Sequence, residues 1–212
     1  MINGNIYVCS KHRPGNLNTG LRYWAASNIP VKIVVEGDDE SSYKNSLSVF
    51  VKKFGDVNAE ILILPDKNRG IAFARQWCLE DAAKKGHEVI CQTDDDVWCR
   101  RIDLQMDFAS REGVAGVGCW ANVLKLFTKG KILKNSGPML YRGSVAQQCV
   151  AYRVSSAMAV GGYDPDLPVL EDLGLMMALI KAGFGDWYVH TDVLSQRKGR
   201  LVNPGGVSDM GY

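Results

Sequence analysis

The stretch EVICQTDDDV, Glu88 to Val97, joins a short apolar run, Glu88–Thr93, to three consecutive carboxylates, Asp94, Asp95 and Asp96. Like charges side by side repel, so such a cluster costs stability unless a cation or hydrogen bonds offset it. For an isolated Asp-Asp-Asp, a solvated acidic turn would suffice as an explanation. Here the acids follow what reads as a buried strand, at the carboxyl end of which α/β proteins open a ligand crevice. An Asp-x-Asp spacing at that point suits Mg2+ or Mn2+, which take one or two carboxylates together with substrate phosphates.

Working outward, Asn5–Cys9 (NIYVC), Val31–Glu36 (VKIVVE) and Glu60–Leu64 (EILIL) are three further short runs rich in β-branched residues. Between them lie helical stretches, the clearest being Gly70–Lys85. There Ile71, Ala74, Cys78 and Ala82 share one face, and Gly86 is placed to cap the end. Near-continuous apolar strands alternating with helices imply a mostly parallel sheet covered by helices, the α/β class. The second half is more mixed. It offers strands at Val114–Trp120, Cys149–Val154 and Asp186–His190, a hairpin over Val123–Leu133 turning at Lys129-Gly130, and a helix over Glu171–Ala182 ended by Gly183. The expected organisation is a single domain over 1–212. About 1–113 is its nucleotide-binding half, about 114–190 its acceptor half, and 191–212 a polar, Gly-rich, flexible C-terminal segment.

Composition narrows the classes. The 212 residues are 46% hydrophobic and 23% charged, which excludes a disordered or fibrous chain. Lys+Arg exceeds Asp+Glu by only 25 to 23, a net charge of +2, too small an excess for a protein that wraps nucleic acid through many phosphate contacts. A local patch remains compatible with it. Six cysteines show no CxxC pair and no metal-ligand spacing, and read as reduced core thiols. The N-terminus has no secretion-signal pattern and no apolar stretch approaches the ~20 residues of a membrane span. A cytoplasmic protein without membrane contact is expected.

Three other segments carry chemistry. PDKNRGIAFAR, residues 65–75, is a loop entering the long helix, with Arg69 and Gly70 at the helix mouth and Arg75 a turn inside. A helix N-terminus favours anions, and the arginines make a diphosphate-facing surface; a capped surface helix with two solvated arginines is the plainer reading. Glu171-Asp172 opens the last helix, where the dipole keeps a carboxylate ionised and fit to act as a base, although acids in a first turn are also ordinary capping residues. His190 is a metal-ligand candidate, set against the usual structural role of a lone histidine.

Taken in order, a strand ending in Ser10-Lys11-His12-Arg13, then VVEG, LPDKNRGIAFAR, TDDDV, GGYDPDLPVLED and a strand ending in His190 resemble a GT-A glycosyltransferase, a family that uses nucleotide-sugar donors. Within it, IYVCSKHR, the LP-to-GIAFAR segment and TDDDV look most like the TET-associated glycosyltransferases of bacteriophages, thought to modify hydroxymethylated pyrimidines in phage DNA. The resemblance spans about Ile6 to His190. It implies a GT-A fold and a metal-dependent enzyme, cytoplasmic in the host cell, that moves a hexosyl or pentosyl group from a nucleoside-diphosphate sugar, a UDP-sugar foremost. The acceptor it implies is a hydroxymethylated pyrimidine, or a sugar already present, in phage DNA.

It also implies roles. Ser10 and Arg13 lie near the base and ribose, with Glu36 beside the same nucleoside. Arg69, Gly70 and Arg75 steady the nucleotide. Asp94, with Asp95 next to it, approaches the ribose and donor sugar, and Asp96 binds the Mn2+ or Mg2+ that bridges the diphosphate. Asp94 and His190 are further metal ligands. Asp172 is the base toward the acceptor hydroxyl, with Glu171 as its substitute. Arg197 and Lys198 belong to a segment that closes over the donor phosphates.

Three other readings stand beside this one. A TOPRIM-type nuclease or primase also pairs a strand-end Glu, here Glu36, with an Asp-x-Asp, but leaves LPDKNRGIAFAR and GGYD…ED unexplained. A nucleotidyltransferase needs a Gly-rich phosphate loop early in the chain, where SKHRPGN has one glycine. A catalytically silent nucleotide-binding module does not need the carboxylate sets.

Overall fold

The computed structural model describes residues 2–121, 138–140, 149–165, 167 and 171–197. The hairpin expected over Val123–Leu133 lies outside them. Four strands, β1 (Gly4–Cys9), β2 (Val31–Val35), β3 (Ala59–Ile63) and β4 (Val89–Asp94), form a parallel sheet in the order β3-β2-β1-β4. They are linked by α1 (Pro14–Trp24), α2 (Glu40–Phe54) and α3 (Gly70–Lys84). After β5 (Val97–Cys99) and α4 (Ile102–Ala109) come β6 (Val114–Ala121), β7 (Pro138–Leu140), β8 (Cys149–Arg153), α5 (Val154–Ala159), α6 (Glu171–Lys181) and β9 (Asp186–Arg197). These strands extend the sheet as β4-β8-β6-β9-β5, with β7 also on β9. Here β6 and β9 are parallel and the other pairings antiparallel. A parallel half thus continues into a mixed half, as the alternation of apolar strands and helices followed by a mixed second half implies.

Successive strand residues point to opposite faces, and both faces are buried. In β1, Ile6 and Val8 join a core under α1, α2 and α4 with Leu21, Trp24, Tyr43 and Met106. Tyr7 and Cys9 join a second core under α3, α5 and α6 with Cys78, Leu79, Ala157 and Leu179. All six cysteines are buried as free thiols. Both glycine stops close their helices in the same way. At α3, Gly86 (φ 71) donates to the Ala83 carbonyl and His87 to Ala82; at α6, Gly183 (φ 78) donates to Ile180 and Phe184 to Leu179. Each is a Schellman motif, with glycine in the left-handed conformation that satisfies the last carbonyls.

The last strand differs from expectation. It does not end at His190 but runs on to Arg197, pairing Leu194 and Ser195 with Trp120 and Ala121 of β6, and Ser195–Arg197 with β5. Residues 191–197 are mostly polar, with only Val193 and Leu194 apolar, so no apolar run marks them; partners on both sides make the strand. Among the described residues no helix is long and apolar enough to cross a membrane.

The residue after the α3 cap has a second task. The His87 ring accepts from Asn5 Nδ2 at Nε2 (2.8 Å) and meets Asn3 Oδ1 at Nδ1 (3.2 Å), the tautomer these partners require. A protonated ring would set donor against donor at Nε2. Partial burial and the nearby Lys85 charge push the His87 pKa below its ordinary value. A lowered folded-state pKa means that the stability from the neutral ring is present above the unfolded value and lost as pH falls below it. Urea denaturation should therefore show stability dropping below the ordinary imidazole pKa of about 6.5, with a shallower drop in His87→Gln. Equal pH slopes in the two proteins would contradict this role.

Candidate active site

Because β1 to β4 are parallel, their carboxyl ends meet at one edge, and most of the residues singled out by the sequence gather there. Ser10 follows β1, its N–H donating to the Val34 carbonyl at 3.0 Å. Its hydroxyl donates to Asp95 Oδ2 and contacts the Tyr43 hydroxyl. Arg13 pairs with Asp95 Oδ1 at 2.7 Å, and its N–H donates to the Tyr43 hydroxyl at 3.1 Å. Asp95 is thus tied inward. Burial pushes its pKa up to about 6 against the opposing pull of Arg13 and Ser10. Burial likewise raises the Tyr43 phenol to about 12, so it stays protonated and available as a donor.

Glu36, just past β2, is buried and accepts from Lys11 Nζ (3.0 Å) and from the Asn68 N–H (2.8 Å). Lys11 also donates to Asn68 Oδ1 at 2.6 Å, so the loop after β3 is fastened to the ends of β1 and β2. His12, at φ 55, donates its N–H to Asp39 Oδ2 (2.8 Å). Lys11, Asp39 and Tyr43 had no signal of their own. Lys11 sits inside the SKHR run, but nothing in the sequence ties Tyr43 or Asp39 to it.

The other side of the site is organised by Arg75. This residue lies in the second turn of α3 and is buried. Its Nη2 bonds Asp94 Oδ1 at 2.8 Å, at the end of β4. Its Nη1 bonds Glu171 Oε1 at 2.7 Å and lies 3.8 Å from Asp172 Oδ2, both at the start of α6. The Arg75 carbonyl accepts from Gln92 Nε2 (2.9 Å), fixing α3 to β4. Three carboxylates hold the guanidinium firmly charged in spite of its burial. The two acids of α6 differ: Glu171 is 8% exposed and its pKa is raised by burial, whereas Asp172 is 25% exposed. Asp172 is therefore the one with an edge toward solvent.

Other predicted site residues lie less centrally. Arg69 is exposed, 3.7 Å from Asp66 and over the Phe73 ring; Gly70, at φ 84, makes the turn into α3. Asp96 is buried beside Asp95. His190 is buried in mid-strand, in register with Cys119 of β6 and Pro138 of β7. Arg197 is in register with Val97, and Lys198 lies outside the described residues.

The donor set fits a hard divalent cation in kind. Asp94, Asp95, Asp96, Glu171 and Asp172 supply five carboxylates against the two guanidinium groups of Arg13 and Arg75, an excess of oxygen and negative charge suited to Mg2+ or Mn2+. Asp94, Asp96 and His190 are not drawn into a closed three-ligand cluster; the one such group among the described residues is built from cysteines. An open carboxylate site that leaves positions to phosphates is the usual arrangement for these ions.

Comparison with solved structures shows that the chain shares its α/β fold with several enzymes. It covers 92% of its length on 88% of a 4-diphosphocytidyl-2C-methyl-D-erythritol synthase from Anaerococcus prevotii DSM 20548, with a TM-score of 0.57 and 11% identity. It covers 99% on 94% of an inositol-1-phosphate CTP transferase from T. maritima (0.55, 9%), and 88% on 91% of a nucleoside-diphosphate-sugar pyrophosphorylase from Vibrio cholerae RC9 (0.50, 11%). No curated protein sequence matches it. The model of the TET-Associated Glycosyltransferase family matches residues 5–115, just over half of the chain. The chain belongs to that family and so to the glycosyltransferase class.

Removing one partner of a buried ion pair leaves the others uncompensated, at a cost of about 3–5 kcal/mol. Arg75→Met should lower unfolding free energy by about that much in denaturant titration, and adding Glu171→Gln should restore part of it. A loss within the ~1 kcal/mol of an exposed pair would contradict the buried hub.

Proposed function

We propose that the protein is a divalent-metal-dependent glycosyltransferase. It moves a sugar from a nucleoside-diphosphate donor, a UDP-sugar foremost, to a hydroxyl in modified DNA: a hydroxymethylated pyrimidine, or a sugar already attached to one. The observation that carries this reading is the single buried guanidinium of Arg75 holding Asp94 at the strand end and Glu171 and Asp172 at the helix start. A carboxylate on the donor side and a carboxylate suited to deprotonate an acceptor thereby share one site.

In this reading the nucleoside lies at the ends of β1 and β2, against Ser10, Arg13 and Glu36. Arg69 and Gly70 at the mouth of α3 face the diphosphate, and Arg197 and Lys198 are assigned to the same phosphates. Asp95, tied to Ser10 and Arg13, keeps those two in place. Asp96 and Asp94 would hold Mn2+ or Mg2+, with His190 as a further ligand. Such an ion supplies positive charge to the departing diphosphate. Asp172 takes the proton of the acceptor hydroxyl as its oxygen bonds to the anomeric carbon and the bond to the diphosphate breaks. Attack by a base-activated hydroxyl on the face opposite the leaving group implies inversion. Arg75 orients both carboxylates, while Glu171, more buried and paired, serves the same hub.

Asp172→Asn should abolish transfer and leave donor binding nearly unchanged; full activity would overturn its role as base. Asp96→Ala should weaken donor binding in calorimetry with Mn2+ and change it little without the ion, whereas unchanged Mn2+-dependent binding would remove Asp96 from the metal site. Ligand binding raises stability by mass action. A thermal-shift screen of nucleotide sugars with Mn2+ should therefore single out one nucleoside diphosphate series. Stabilisation by nucleoside triphosphates in preference to diphosphate sugars would favour a nucleotidyltransferase instead.

A further inference from the structure

Four of the six cysteines meet in the core beneath α4. They come from four strands: Cys91 of β4, Cys99 of β5, Cys119 of β6 and Cys149 of β8, all in the core cluster on one face of the sheet. The antiparallel register of β6 on β8 pairs Val117 with Ala151 and Gly118 with Val150, and one more step sets Cys119 opposite Cys149. The sulfurs of Cys99, Cys119 and Cys149 all lie within 4.8 Å of one another. Cys91 Sγ is 3.6 Å from Cys149 Sγ.

These separations have a chemical meaning. Sulfurs at the corners of a tetrahedral zinc site, each about 2.3 Å from the metal, stand about 3.8 Å apart. Free thiols pack as small hydrophobes, but sulfurs converging from four strands at these separations also match the shell of a tetrahedral metal. The polar cover is also fixed. Gln105 of α4 is fully buried and spends its Nε2 hydrogens on the carbonyls of Val117 (2.5 Å) and Cys149 (2.9 Å). This turns its Oε1 to the Cys149 thiol at 3.6 Å. Gln105 thereby clamps β6 and β8 at the level of the thiols.

We propose that Cys99, Cys119 and Cys149 form a buried site for a thiophilic metal ion, Zn2+ first among them, with Cys91 as the fourth sulfur in reach. Each ligating thiol releases its proton to solvent as its sulfur bonds the metal, so no oxidant or reductant is needed. Because each ligating thiol must lose its proton, metal affinity rises with pH. The ion would join β5, β6 and β8, and so brace the mixed half of the sheet from which β9 and its His190 are hung. This role is structural and independent of sugar transfer.

The test is metal analysis of the full chain expressed in zinc-supplemented medium, followed by chelation and titration with Co2+ alone. The expected results are stoichiometric zinc, a cobalt spectrum with thiolate charge-transfer and tetrahedral d–d bands, and a lowered Tm after chelation. Cys119→Ser should lose the metal. Cys9→Ser, which alters the separate Cys9–Cys78 contact (3.7 Å), should keep it. A folded wild-type chain that binds neither ion overturns the proposal even if Cys119→Ser does not fold. So does metal binding that survives in Cys119→Ser or is lost equally in Cys9→Ser, or a Cys91–Cys149 disulfide in the purified protein.

Discussion

A guanidinium almost closed off from water, gripped by carboxylates from distant parts of the chain, is the interaction on which the rest of this site depends. Arg75 belongs to α3, Asp94 to the end of β4, and Glu171 and Asp172 to the start of α6. Burying a lone charge is prohibitive and burying a well-paired one roughly breaks even, so none of these groups can be removed from the others cheaply. The same bonds therefore decide where α6 begins relative to the sheet and where its first two carboxylates point.

The balance of charge around that hub connects fold to chemistry. Arg75 neutralises only part of the acid gathered near it, and Arg13 answers Asp95 on the opposite side. What is left over is an oxygen-rich, negatively biased edge at the carboxyl ends of parallel strands. Beside it are the basic groups Lys11, Arg13 and Arg69. In the proposed reading a divalent cation would answer the acids that these pairs leave over. The small net charge of the whole chain, +2, conceals this separation and carries little information about it.

Much of the architecture was legible from residue order, for identifiable reasons. Strands β1, β2 and β4 are largely buried on both faces and the edge strand β3 is half-buried, so their apolar runs are near-continuous and the limits of all four fall within a residue or so of the expected ones. Helices α3 and α6 were legible because Gly86 and Gly183 end them. The other helices had no bounds in the sequence, since α2 is polar and leaves Val49 and Phe54 exposed, and the part of β9 beyond His190 exists only through its partners β5 and β6. The site shows the same division. Asp94, Arg75, Glu171 and Asp172 could each be named from local context. That Arg75 faces carboxylates rather than open solvent depends on a contact across 96 residues, which no local pattern encodes. The bonds of Tyr43 and Lys11 to Ser10, Glu36 and Asn68 are of the same kind.

The account stands most directly on a crystal structure with Mn2+ and a nucleoside-diphosphate sugar bound. It predicts the nucleoside at the ends of β1 and β2, the diphosphate and metal against Asp94 and Asp96, and the anomeric carbon facing Asp172. Arg75 should still be paired with Asp94 and Glu171. A nucleotide bound elsewhere on the sheet, or Arg75 swung away from both carboxylates to grip the diphosphate itself, would contradict it.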